Sequence, residues 1–156
     1  MGIYFDGFAV GDVVETTGRT VTEYDLMAFA GLSGDFNPQH VDEQFAATTH
    51  FGTRIPNGLL GLIFTSGFLA RAGLFDGTAV AFLGLTWQFV APLRIGDTVR
   101  VRQTVRKARV ASDGRRGIVD FDVQLINQHG QVVQQGTRKI LLHRDPALLS
   151  EQAGDR

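Results

Sequence analysis

Asp35 and His40 stand five positions apart in the stretch GDFNPQHVD, residues 34 to 42. A carboxylate and an imidazole are well suited to moving protons near neutral pH. Asn37 and Pro38 lie between them. The residue before a proline is pushed out of the helical region, so these polar groups are expected on a turn rather than along a solvated helix. On a fixed turn Asp35 and His40 can grip one water molecule. The same residue types also suit turn chemistry, in which Asp and Asn bond their own backbone.

A second element follows at Asn57 and Gly58, which open the apolar stretch GLLGLIFTSGFLARAG, residues 58 to 73. Asn57 is a good N-cap and Gly73 a C-terminal stop. The first backbone N–H groups of such a helix have no partner within it, and the positive end of the helix dipole stands behind them. That is a ready site for a developing oxyanion. A water-gripping pair beside an oxyanion site suits two reactions of a thioester: addition of water across an α,β double bond, and hydrolysis.

Other candidates are weaker. His50, His129 and His143 are scattered, and His40 with Asp42 offers only two of the three or four convergent ligands a metal needs. No glycine-rich nucleotide motif follows a strand. Eight of the 15 Lys and Arg residues fall between Arg94 and Arg116. They suit a phosphorylated ligand or, more simply, the outward face of a strand. With a turn near Gly114, Arg106 would sit opposite Asp122, an ordinary cross-strand pair.

The elements that must position these residues can be read from periodicity. TEYDLMAFAGLSG predicts a helix capped by Thr22, with Leu26, Phe29 and Ala30 on one face. VDEQFAATT predicts a short helix. The helix from Gly58 is apolar on nearly every side, which predicts burial all round, and its glycines predict close approach of other chain segments. Then the period changes to two. AVAFLGLTWQFVAPL places Leu83, Leu85, Trp87 and Phe89 on one face. DTVRVRQTVRKARV sets Val99, Val101 and Val105 against Arg100, Arg102 and Arg106. IVDFDVQLIN and QVVQQGTRKILLH complete the set, with turns at SDGRRG and NQHGQ. An antiparallel sheet with one apolar face needs a cover, and the buried helix is the obvious one.

Composition sets the outer bounds. The chain has 156 residues, 44% hydrophobic, with a formal net charge of −1 and no cysteine. One domain is expected, with no general nucleic-acid role, no disulfide and no thiolate chemistry. MGIYFDG lacks the charged and apolar regions of a signal peptide. The stretch GLLGLIFTSGFLA falls short of the ~20 residues a membrane span needs. A cytoplasmic protein is expected.

SGDFNPQHVDEQFA, FGTRIPNGLLGL and FVAPLRIGDTV resemble, in order and spacing, the MaoC-like hydratases and dehydratases, the family of (R)-specific enoyl-CoA hydratases. The resemblance covers residues 10 to 143, and its first motif is the specific one. It implies an α+β hot-dog fold, an antiparallel β-sheet wrapped around a long buried central helix. One such domain would span 1–156, with a polar tail from 145 to 156. It implies a hydro-lyase that hydrates 2-enoyl-CoA and dehydrates (R)-3-hydroxyacyl-CoA. Asp35 and His40 match the catalytic pair, and Gly58 the glycine whose N–H holds the thioester carbonyl. Asn37 shapes the turn, and Ser66 matches a supporting serine or else bonds the carbonyl four residues back. Asn57 stands where many members carry His. No cofactor is implied beyond the CoA thioester substrate, and no nucleic acid or membrane partner. A homodimer or larger homo-oligomer is implied. The rivals are a hot-dog acyl-CoA thioesterase and a non-catalytic acyl-CoA-binding subunit.

Overall fold

A computed structural model describes residues 2–154, with side chains to residue 150. Strands β1 (Val13–Glu15), β2 (Arg19–Thr20), β3 (Ala79–Phe89), β4 (Thr98–Val110), β5 (Arg116–Ile126) and β6 (Val132–His143) form one antiparallel sheet. Its order is β1-β4-β5-β6-β3, with β2 also on β4. Helices α1 (Glu23–Ser33), α2 (Pro38–Val41), α3 (Glu43–Ala47) and α4 (Gly58–Arg71) come before the long strands, and α5 (Pro146–Gly154) after them.

The alternation read from sequence produces the sheet. Val99, Val101 and Val105 of β4 and Val119, Phe121, Val123 and Leu125 of β5 are buried in one core. Leu60, Phe64, Phe68 and Leu69 of α4 pack into the same core. On the outer face Arg106 meets Asp122 at 3.7 Å, as expected, although a bulge between Val105 and Lys107 leaves Thr104 in register with Asp122. Arg102 pairs with Glu15, and Lys139 with Asp120. The basic run from Arg94 to Arg116 is thus largely a strand face with acidic neighbours.

Two expectations need correction. First, α4 is not buried all round in this chain. Leu59 and Ile63 are 50% and 48% exposed, and Ser66, Gly67 and Ala70 also face outward. A helix apolar on every side can face a core on one flank and a separate surface on the other. Second, a register shift between Phe82 and Gly84 brings Phe82, rather than Leu83, alongside Leu85 and Trp87 around one cavity. Strict alternation cannot foresee a bulge. The tail after β6 includes the helix α5, begun by Pro146, a residue well suited to a first helical position.

The glycines of α4 do permit close approach. A β-carbon at Gly58 would press on the Phe89 ring, and one at Gly61 would collide with the Gln134 amide. Among the described residues, β6 is the one strand paired with β3, whose other edge is open over 11 residues. Among the described residues no helix is long and apolar enough to cross a membrane.

Candidate active site

Helix α1 starts at a capping box made by Thr22 and Asp25 and ends at Gly34, which takes the left-handed conformation at φ 76°. That reversal delivers Asp35 immediately past the helix end. The Asn37 backbone N–H donates to Asp35 Oδ1 at 3.2 Å, and the Gln39 N–H donates to Asn37 Oδ1 at 3.0 Å. Turn chemistry is therefore present, as one reading held. Pro38 does not simply break the chain. It occupies the first turn of α2, where its missing N–H costs nothing, and the single turn that follows carries His40.

The segment before α4 then clasps both side chains. His40 Nδ1 lies 2.6 Å from the Ile55 carbonyl oxygen. A carbonyl only accepts, so Nδ1 carries a hydrogen, and in the neutral ring this leaves the lone pair on Nε2. Nε2 faces Asp35 Oδ2 at 3.7 Å, too far for a direct hydrogen bond. Asn57 Nδ2 donates to the same Asp35 oxygen at 2.5 Å, while Asn57 Oδ1 accepts the Leu59 N–H at 2.9 Å. One Asn side chain thus caps α4 and anchors Asp35. Leu60 N–H returns to the Asn57 carbonyl, leaving Gly58 N–H without a partner among the described residues. The expected oxyanion site narrows to this one group.

Two braces hold the arrangement. Gln134, buried on β6, donates to the Gly58 carbonyl at 2.9 Å and accepts from Trp87 Nε1 at 2.9 Å. Arg54 bridges α1 and α3, donating to both Glu23 oxygens and to Glu43. The Thr53 hydroxyl and then Arg54 hold the Glu43 carboxyl below its ordinary value, and Glu23 in turn raises Arg54. Residues 53 to 57 are tied to two helices by this clamp. A cleft of about 500 Å³ opens beside it, lined by Ile55, Asn57, Gly58, Phe89, Pro92 and Gln134. Ile55 and Asn57 are the direct partners of His40 and Asp35, so the cleft adjoins the pair.

The structure gathers Asp35, His40, Asn57 and Gly58 and uses Asn37 to shape the turn. Ser66 lies elsewhere. It is two turns along α4 and lines a different cavity with Leu62 and Trp87. The bond to the carbonyl four residues back is made by its neighbour: Thr65 Oγ1 donates to the Gly61 carbonyl at 2.9 Å. The bracing roles of Ile55, Gln134, Trp87 and Arg54 had no sequence signal, because each depends on a partner distant along the chain. No group of three or more His, Cys, Asp or Glu side chains among the described residues is placed to hold a metal.

The profile of the MaoC like domain matches residues 7–125. The chain belongs to the MaoC-like family. An (R)-specific enoyl-CoA hydratase of Rhodospirillum rubrum is 40% identical over 102 residues, 65% of this chain and 69% of that one. A 3-hydroxybutyryl-CoA dehydratase of Methylorubrum extorquens is 36% identical over 118 residues, covering 70% and 72%. The crystal structure of a MaoC-like dehydratase from Rhodospirillum rubrum superposes with a TM-score of 0.85 at 30% identity, covering 93% of this chain and 99% of that one. This MaoC-like chain has the hot-dog fold, and it is a hydro-lyase of the hydratase/dehydratase type.

Proposed function

We propose that the protein catalyses reversible hydration of 2-enoyl-CoA thioesters to (R)-3-hydroxyacyl-CoA, with Asp35 and His40 handling one water and Gly58 holding the thioester oxygen. The observation that carries this reading is the 3.7 Å gap between His40 Nε2 and Asp35 Oδ2, each fixed from behind, beside the free Gly58 N–H. A water in that gap donates one hydrogen to each acceptor. Its oxygen attaches to Cβ as one acceptor takes the proton, and the π electrons move toward the thioester. Negative charge gathers on the thioester oxygen, where Gly58 N–H and the N-terminal end of α4 stabilise it. The pair, now carrying one extra proton, delivers it to Cα. The two groups act on one proton, so the pair rather than either member is the unit of catalysis. The thioester already acidifies the α position, and the step needs no metal or organic cofactor.

The hydratase and dehydratase relatives support addition over hydrolysis. The open edge of β3 and the exposed Leu59 and Ile63 support a homodimer, since an unpaired apolar edge is an association site. An enoyl-CoA panel tests the activity. Substrate loss should yield the (R)-3-hydroxyacyl thioester without free thiol. Thiol release matching substrate loss points to a thioesterase instead.

A further inference from the structure

Arg138 of β6 occupies an unusual position. On the same row of the strand, Gln134, Ile140 and Leu142 are buried and Gly136 is half-buried. The strand therefore turns Arg138 toward α4, away from the solvent face where Lys139 meets Asp120. Among the described residues it is the one charged side chain on the core-facing rows of the long strands. It has no carboxylate within ion-pair distance there, and its Nε–H is buried without a hydrogen-bond partner. Desolvation lowers its pKa to about 10, so it remains a cation at neutral pH.

Three aromatic rings surround the guanidinium. Phe75 lies 5.0 Å from it, and Phe82 and Phe121 each 5.9 Å. Ring faces attract a cation but accept none of its N–H bonds in the manner of an anion. The guanidinium borders a cavity of about 380 Å³ whose other walls include Leu62, Ser66, Phe82, Leu85 and Trp87. These walls are largely apolar, the surface an acyl chain fits. The cavity also follows the catalytic helix. Leu62 is one turn past Gly58, and Ser66 lies eight residues past it, about 12 Å along the axis. The Trp87–Gln134–Gly58 hydrogen-bond chain joins the two regions. A chain whose thioester sits at Gly58 and runs along α4 would bring its far end toward Arg138.

We propose that Arg138 binds a second carboxylate on the acyl chain, so that the preferred substrate is the CoA monothioester of an unsaturated dicarboxylic acid. A planar carboxylate matches the guanidinium fork. The Ser66 hydroxyl, which also faces the cavity, can donate to it, whereas Thr65 has already spent its own on Gly61. A phosphate of CoA fits less well, because one cation in an apolar chamber cannot replace the hydration of a more highly charged group. The inference rests on the hydration reading for its placement of the thioester at Gly58.

The test compares trans-2-hexenedioyl-CoA and trans-2-octenedioyl-CoA with trans-2-hexenoyl-CoA and trans-2-octenoyl-CoA. Hydration rates are measured for the wild type, Arg138→Met and Arg138→Lys. Binding of the corresponding saturated thioesters is measured by calorimetry. The wild type should favour at least one dicarboxylic member by about tenfold or more in kcat/KM, mainly through KM. Arg138→Met should abolish that preference while sparing the monocarboxylic substrates, and Arg138→Lys should retain part of it. If nothing is hydrated but calorimetry shows the Arg138-dependent preference, the carboxylate site stands and the hydration reading fails. Hydration with equal preference in wild type and Arg138→Met overturns the carboxylate site. A fall in melting temperature or a change in oligomeric mass with that ratio unchanged assigns Arg138 to the scaffold.

Discussion

On the outer face of the sheet, Arg106 meets Asp122, Lys139 meets Asp120 and Arg102 meets Glu15. Each pair satisfies its charges across neighbouring strands, in water. At the start of α4 the polar groups also meet one another, but two atoms are left over. Asn57 and the Ile55 carbonyl hold Asp35 and His40 from behind, while His40 Nε2 and Gly58 N–H remain unspent. Both regions are polar, and only one holds open valences in a fixed geometry beside a cleft. Such preorganisation, rather than charge density, marks a site able to stabilise a transition state. It also explains why the Arg-rich run from Arg94 to Arg116 attracts notice in sequence yet serves the sheet.

Substitutions in the two regions should have very different effects. His40→Ala and Asp35→Asn should each lower kcat by about 10²-fold or more while the circular dichroism spectrum is retained. The proposed sharing of one water predicts that the double variant costs little beyond either single change. Near-full activity in folded Asp35→Asn would reduce that stretch to turn chemistry.

Asn57 tests the holding groups. Asn57→Ala removes a cap worth ~1 kcal/mol and releases Asp35, so stability should fall and kcat should drop about tenfold. Asn57→Asp separates the two roles. It keeps the cap acceptor but removes the donor to Asp35 and faces that carboxylate with a like charge, so kcat should fall while the cap's share of stability is retained. Thermal melts and turnover rates of both variants check this.

Arg54→Ala should have a smaller effect, a several-fold loss of kcat, because it loosens the segment that carries Ile55 and Asn57. Its stability effect has a pH signature. Glu43 has a folded-state pKa below its ordinary 4.5, so its contribution is present above that value and lost as pH falls through the lower one. The gap in melting temperature between wild type and Arg54→Ala should therefore narrow below about pH 4.5. The smallest effect belongs to the outer face. Arg106→Ala or Asp122→Ala should change stability by under about 1 kcal/mol and leave turnover unaltered.

Much of this was legible in the sequence, for physical reasons. The period-two runs around Val101 and Phe121 made the strands readable, and Thr22 marked the start of α1. The stretches SGDFNPQHVDEQFA, FGTRIPNGLLGL and FVAPLRIGDTV, in order and spacing, suggested the family. What was hidden depends on contacts distant in the chain. The second bond of Asn57 requires α1 and α4 to meet. The register shift at Phe82 arises from pairing with β6. The isolation of Arg138 is a property of what surrounds it, since Lys139 beside it reads alike in sequence and is paired. The open flank of α4 was concealed because an all-apolar helix looks the same whether a core or a partner covers it.

In the proposed reaction water adds across the double bond rather than to the thioester carbonyl. Running one turnover in heavy-oxygen water and locating the label by mass spectrometry tests it directly. Addition to Cβ places the heavy oxygen in the C3 hydroxyl of an intact CoA thioester. Heavy oxygen in the carboxylate of a released acid, with free CoA beside it, would contradict it.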